Sequence, residues 1–139
     1  MLGQTAFEYL MLFSLVLIIL TFLTYYAQNM TERNREEIIM SNAVIAVNKI
    51  VEAADIVYTQ GKPSAITLSV YIPENVYSIE FSNKMIIMKV KVGSGISDVV
   101  ATSKAILKNS TSGIYFSPTS GTKRIKVKAE GSYVNITEG

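Results

Sequence analysis

The sequence predicts an α+β protein: one long N-terminal α-helix followed by a small antiparallel all-β head of Greek-key or sandwich type. Three observations carry that expectation. No Gly or Pro occurs between Gly3 and Gly61, which permits one unbroken helix from about Gln4 to Thr59. Within that stretch, residues 9–26 form an apolar run and residues 38–59 repeat apolar side chains at spacings of three and four, the period of a single helix face. From Ser64 onward the period falls to two, the signature of half-buried strands.

The apolar run reads YLMLFSLVLIILTFLTYY. Its clearly polar members are Ser14, Thr21 and Thr24, whose hydroxyls can bond back to a helix backbone. Eighteen residues at the α-helical rise span roughly 27 Å, close to the ~30 Å of a bilayer core. A helix satisfies its own backbone in lipid, so this half of the helix is compatible with a membrane. Gln28 to Glu37 is polar. Glu32–Arg35, Arg33–Glu36 and Arg33–Glu37 fall at helical pair spacing, and Asn29 with Glu32 resembles a capping box, which would allow a kink or restart there. The amphipathic stripe follows: Ile39, Ala43, Ala46, Val47, Ile50, Ala53, Ala54 and Val57. Its partner should be the domain behind it, because an exposed stripe of this length would aggregate. Gly61 supplies a left-handed C-cap and Pro63 cannot continue a helix.

Beyond Gly61 the alternation is regular. Ile66, Leu68, Val70 and Ile72 alternate with Thr67, Ser69 and Tyr71. Ile86, Met88, Val90 and Val92 alternate with Lys89 and Lys91, and Ile125 and Val127 with Lys126 and Lys128. Turn signals at Pro73-Glu74-Asn75, Ser82-Asn83-Lys84, Gly93-Ser94-Gly95, Ser112-Gly113, Ser117-Pro118-Thr119-Ser120-Gly121 and Glu130-Gly131 divide the region. About six antiparallel strands are expected, near 65–72, 76–82, 85–92, 97–107, 123–129 and 132–137. Seventy-odd residues without a disulfide make a marginal core; docking the helix stripe on a sheet would supply the missing burial.

Composition narrows the chemistry. There is no Cys, His or Trp among the 139 residues. That removes disulfides, thiol nucleophiles, the usual metal ligands and His-based catalysis. No phosphate loop, metal cluster or catalytic pair is present in the sequence, so no catalytic, metal or cofactor-binding residue is assigned and the protein is read as a non-enzyme. The net charge of +2 is uneven: residues 1–60 carry −3 and residues 61–139 carry +5. The Lys-rich strands could meet acidic surfaces, but the aromatic interleaving of a single-strand nucleic-acid binder is absent, and no nucleic-acid partner is expected. Asp55 and Asp98 are lone acids, read as cap or turn residues.

What precedes the apolar run is the most specific feature. Gly3-Gln4 is followed by Glu8-Tyr9-Leu10, and no other charged residue occurs until Glu32. The apolar run is too long for a secretory signal, nothing basic precedes it, and no small-x-small exit follows it. A cut in front of the run would leave the helix in the mature chain. Gly3-Gln4 with Glu8-Tyr9-Leu10 resembles the processing site of archaeal type IV pilins, which carry a class III signal peptide. Ala53-Ala54-Asp55-Ile56-Val57-Tyr58, Gly61-Lys62-Pro63-Ser64 and Tyr71-Ile72-Pro73-Glu74-Asn75-Val76 are similar to that family too. Met1-Leu2 lacks the basic residue that such leaders usually carry. The Gln-x-x-x-Glu-Tyr start is closer to the adhesive pili than to the archaellins.

The resemblance implies a leader at 1–3, a helix at 4–60 and a head at 61–139. It implies cleavage between Gly3 and Gln4 by a prepilin peptidase, and assembly through Gln4 and Glu8. The product would be a homopolymeric extracellular fibre used in cell adhesion, built by a pilus assembly machinery from a membrane-inserted precursor. The alternative is a β-domain anchored permanently in the membrane that binds a surface ligand or partner. Three sequons, at Asn29, Asn109 and Asn135, are candidate N-glycosylation sites of such a glycoprotein. Asn109, in a Ser/Thr-rich turn, is the best acceptor of the three.

Overall fold

The computed structural model describes residues 2–109 and 119–139. The chain divides into two compact units, Met1–Arg35 and Glu36–Gly139. Helix α1 runs from Leu2 to Gln60. The backbone stays helical at Asn29, so the capping-box reading does not hold, and Thr31 Oγ1 donates back to the Ala27 carbonyl at 2.9 Å. The end of α1 is the one expected. Gly61 takes φ +73° and its amide donates to the Val57 carbonyl at 3.1 Å, a left-handed stop that a β-carbon would oppose.

Seven strands follow: β1 (Ala65–Ile72), β2 (Val76–Ser82), β3 (Met85–Val92), β4 (Gly95–Thr102), β5 (Leu107–Asn109), β6 (Gly121–Ala129) and β7 (Val134–Glu138). They form a four-stranded sheet of order β1-β6-β7-β5 and a three-stranded sheet of order β2-β3-β4. The protein is therefore α+β, a long helix with a small β head. Hairpin β2–β3 closes on Asn83-Lys84 and hairpin β3–β4 on Gly93-Ser94, with Asn83 at φ 53° and Gly93 at φ 56°. These tight turns need positive φ, which Asn and Gly tolerate best. The expected turns at Ser112-Gly113 and Ser117-Pro118 lie outside the described residues.

In the second unit the amphipathic part of α1 and both sheets share one core. Ile39, Ala43, Ala46, Val47, Ile50, Ala53, Ala54 and Val57 are all buried, each 8% exposed or less. They join Val70 and Ile72 of β1, Ile79 of β2, Met88 and Val90 of β3, and Ile125, Val127, Val134 and Ile136 of β6 and β7 in a single cluster. The stripe read from spacing is thus the helix's contribution to the core of the β unit. Four alanines and no aromatic side chain in that stripe keep the helix surface shallow, which lets strands approach it closely.

Two expectations are corrected. The segment 97–107 is not one strand. It breaks after Thr102, and β5 begins at Leu107 in the other sheet. Nor are all pairings antiparallel, for β5 runs parallel to β7 through Leu107↔Val134, Lys108↔Asn135 and Asn109↔Ile136. The break is held by an acid from the helix. Asp55 Oδ1 accepts from Ser103 Oγ at 2.6 Å and from the Lys104 amide at 2.9 Å. Ser103 Oγ in turn accepts from the Ala105 amide at 3.1 Å. The β2–β3 turn takes two further donors: Ser103 N–H reaches the Lys84 carbonyl at 2.7 Å and Leu107 N–H the Asn83 carbonyl at 2.6 Å. With these four amides satisfied away from a ladder, the chain leaves one sheet and enters the other with little loss of backbone hydrogen bonding.

Candidate functional site

The sequence-predicted cleavage and assembly residues Gly3, Gln4 and Glu8 all lie on α1 and are all exposed. Gln4 and Glu8 are four residues apart and so share a helix face. Behind Glu8 on that face come Met11, Leu12, Leu15 and Ile18, which line one shallow groove with it. The whole run is open to its surroundings: the large apolar side chains from Phe7 to Tyr26 are between 48% and 75% exposed. This segment is long and apolar enough to cross a membrane, and none of it is buried within the chain. Such a surface must be covered by lipid or by protein.

The serine and threonine hydroxyls of the run are satisfied within the helix. Ser14 Oγ donates to the Met11 carbonyl at 2.8 Å and Thr21 Oγ1 to the Leu17 carbonyl at 2.8 Å. Thr24 Oγ1 reaches the Leu20 carbonyl at 2.6 Å. Glu8 is then the only formally charged side chain from Gly3 to Thr31.

Gly3 is informative by what the fold does not ask of it. A β-carbon there would meet nothing within 4 Å, and its backbone is helical. Glycine is among the poorest helix formers, so neither packing nor backbone conformation calls for it. Gly61, by contrast, is fixed by its φ.

The sequons fall in three settings. Asn29 is exposed on α1. Asn109 ends β5 and is half-buried, and the hydroxyl residue of its sequon, Thr111, lies outside the described residues. Asn135 is in β7 between β5 and β6, half-buried, with its Oδ1 enclosed and unpaired among the described residues.

Sequence reasoning missed the Asp55 cap. Asp55 was legible as a cap-type acid, but Ser103 and Lys104 are 48 and 49 residues away, and no local pattern joins them. It also missed how the cations sort between sheets. On the outer face of the three-stranded sheet, Lys89 pairs with Glu80 at 2.9 Å and lies opposite Asp98; the Lys89 ammonium holds the Glu80 carboxyl below its ordinary range. At the end of β6, Glu130 bridges Lys128 at 2.8 Å and Lys62 at 3.4 Å. The neighbouring Lys128 and Lys62 ammoniums pull the Glu130 carboxyl down, and Glu130 pushes the Lys128 ammonium up. Lys108 Nζ stands 4.6 Å from the ring centre of Tyr133, a cation–π contact. Among the described residues, no group of three or more acidic, His or Cys side chains could hold a metal ion. Comparison with known proteins returned no matching family model, no matching curated protein and no matching solved structure.

Proposed function

We propose that this chain is the structural subunit of an archaeal type IV adhesion pilus, assembled through its apolar N-terminal helix after cleavage between Gly3 and Gln4. The observation that carries the reading is Glu8. It is a single carboxylate on the otherwise uncharged, exposed apolar part of α1, one turn behind Gln4 and just beyond a glycine that the fold does not require. Before assembly, lipid covers the apolar surface; in the fibre, neighbouring copies of the same helix cover it. Both are apolar surroundings, so one sequence serves both.

An ionised carboxylate in apolar surroundings costs several kcal/mol even after relaxation unless it is paired. Cleavage after Gly3 would create an ammonium on Gln4, on the same helix face as Glu8. In the fibre, that ammonium on a neighbouring copy is the partner of Glu8. An uncut chain has its amine three residues further on and leaves the carboxylate unmatched, which makes entry into the fibre conditional on cleavage. Prepilin peptidase and the pilus assembly machinery are the further partners of this reading.

The test is the intact mass of protein from sheared surface fibres. The expected mass lacks Met1-Leu2-Gly3. Fibres built from uncleaved chains overturn the processing claim. Protein found only in the membrane fraction, with no fibres, transfers the assignment to the permanently anchored β-domain.

A further inference from the structure

Strand alternation sends the two sets of β6 side chains to opposite sides of the four-stranded sheet. Ile125, Val127 and Ala129 are buried, while Arg124, Lys126 and Lys128 are exposed. Register extends this outer face across the sheet. Lys128 lies beside Asn135, and Asn135 beside Lys108; on the other side, Lys126 and Arg124 lie beside Thr67 and Ser69 of β1. Four cations therefore share one face, and no strand position on that face, among the described residues, is a carboxylate. Glu138 sits on the opposite parity and pairs with Lys123 at 2.9 Å. Glu130 touches Lys128 only from beyond the strand end. Arg124 and Lys126, at the centre, have no carboxylate partner among the described residues. The other sheet is different in kind, since its outer face balances Lys89 with Glu80 and Asp98.

We infer that this face binds an acidic polysaccharide, through carboxylates or sulfates set along a flexible chain. The inference goes beyond the fibre reading and does not depend on how α1 is used. Charge complementarity selects an anion, and the absence of acids on the face removes the competition that usually neutralises a basic strand. Along β6 the cations recur every two residues, roughly 6.8 Å apart, with neighbouring strands about 4.8 Å to the side. That is a flat grid, suited to a ribbon-like polymer. Between the cations stand Thr67, Ser69 and Tyr71 of β1, all exposed. Their hydroxyls can donate to and accept from sugar hydroxyls, and the Tyr71 ring offers an apolar platform for a pyranose. Single-stranded nucleic acid would call for several exposed aromatic platforms for base stacking; here Tyr71 is exposed, whereas the Tyr133 ring is half-buried and already engaged by Lys108.

The experiment uses the full chain in nonionic detergent micelles and three immobilised probes: polygalacturonate, neutral dextran and short duplex DNA. Binding to polygalacturonate, falling steeply between about 50 and 200 mM salt, and none to dextran, is expected. For a flexible polyanion each contact adds about 0.7 to the log–log salt slope, so two contacts at ~0.1 M salt amount to roughly 25-fold at most. Polygalacturonate is less densely charged, and the pair Arg124→Ser with Lys126→Ser should weaken binding about tenfold. Lys84→Ser with Lys91→Ser removes the same charge from a turn and from the other sheet, and should change affinity less than twofold. Both pairs replace exposed side chains, and circular dichroism checks that each folds. Equal losses from the two pairs would reduce the effect to net charge and overturn the assignment of this face. Tighter binding to duplex DNA than to polygalacturonate at equal charge concentration would overturn the polysaccharide, as would retention on neutral dextran.

Discussion

Removing the Asp55 carboxylate is a direct test of how the head is joined to its helix. Asp55 is half-buried, and its Oδ1 accepts from Ser103 Oγ and from the Lys104 amide at 2.6 and 2.9 Å. Hydrogen bonds to a charged acceptor contribute about 1.5–3 kcal/mol each. Water reaches part of this site, so the two together are placed nearer the lower end, at about 3–4 kcal/mol. Asp55→Ala should therefore destabilise the Glu36–Gly139 unit by roughly that amount. Asp55→Asn, which keeps a neutral acceptor, should lose about half as much. Ser103 is 3% exposed, and Ser103→Ala leaves the Ala105 amide without its acceptor, at a cost of about 1–3 kcal/mol. Urea unfolding of the full chain in nonionic micelles gives these values, with near-ultraviolet circular dichroism of the tyrosines as the signal, since the chain has no Trp. Hydrogen exchange supplies the local readout: the Lys104 amide should lose protection in Asp55→Ala while amides of the apolar half of α1 do not change. Stability within ~0.5 kcal/mol of the native chain, the range of an ordinary surface substitution, together with unchanged Lys104 protection, would refute the cap.

Three further outcomes are expected. Ile50 is fully buried in the shared core; Ile50→Ala should cost about 2–5 kcal/mol, and Ile50→Asp should unfold the β unit because an unpaired charge enters the core, both read by the same urea titration. Glu8→Gln should leave membrane insertion and the fold of the head intact but reduce or abolish surface fibres counted by electron microscopy; normal fibre number with the substitution verified in the fibres would remove its registry role. Glu130 should titrate below the ordinary glutamate range because Lys128 and Lys62 favour its charged form. Its folded-state pKa is lowered, so its contribution to stability is present above the unfolded-state value and is lost as pH falls through the folded one. Lys128→Ala should move the Glu130 carboxyl resonance midpoint upward, and no movement would assign the depression to another cause.

The parts of the fold legible in sequence are those set by neighbours in sequence. Gly61 and Pro63 marked the end of α1 because a cap acts within one turn. The stripe from Ile39 to Val57 was legible because burial on one side of a helix writes a period, and all eight of its positions are buried. Alternation marks β1, β3 and β6, and the turn signals at Pro73-Glu74-Asn75 and Ser82-Asn83-Lys84 bound β2. The split of 97–107 was not legible, because the chain leaves one sheet at Thr102 on the strength of an acid 48 residues earlier. Nothing in Thr102-Ser103-Lys104-Ala105 announces that partner. The parallel pairing of β5 with β7 was hidden for the same reason, since a three-residue strand carries too little pattern to declare its neighbour. Of the candidate site, Gly3, Gln4 and Glu8 were legible as residues. The structure adds that they are exposed and that Gly3 is free of any conformational demand. The basic face was half legible: alternation pointed the lysines outward, but only register across β1, β6, β7 and β5 gathers four cations onto one side.

The back-bonded hydroxyls of α1 have a mechanical consequence. Ser14, Thr21 and Thr24 carry their acceptors with them, so nothing around the helix needs to supply one. From Leu10 to Thr24 a surrounding medium therefore meets hydrocarbon, aromatic rings and hydroxyls already engaged. Sliding or turning this stretch past its neighbours breaks no hydrogen bond of its Ser and Thr side chains, so there is little friction within it to hold the helix at one depth. On the fibre reading proposed above, Glu8 is the side chain that would distinguish one axial position from the next, a detent on an otherwise smooth shaft.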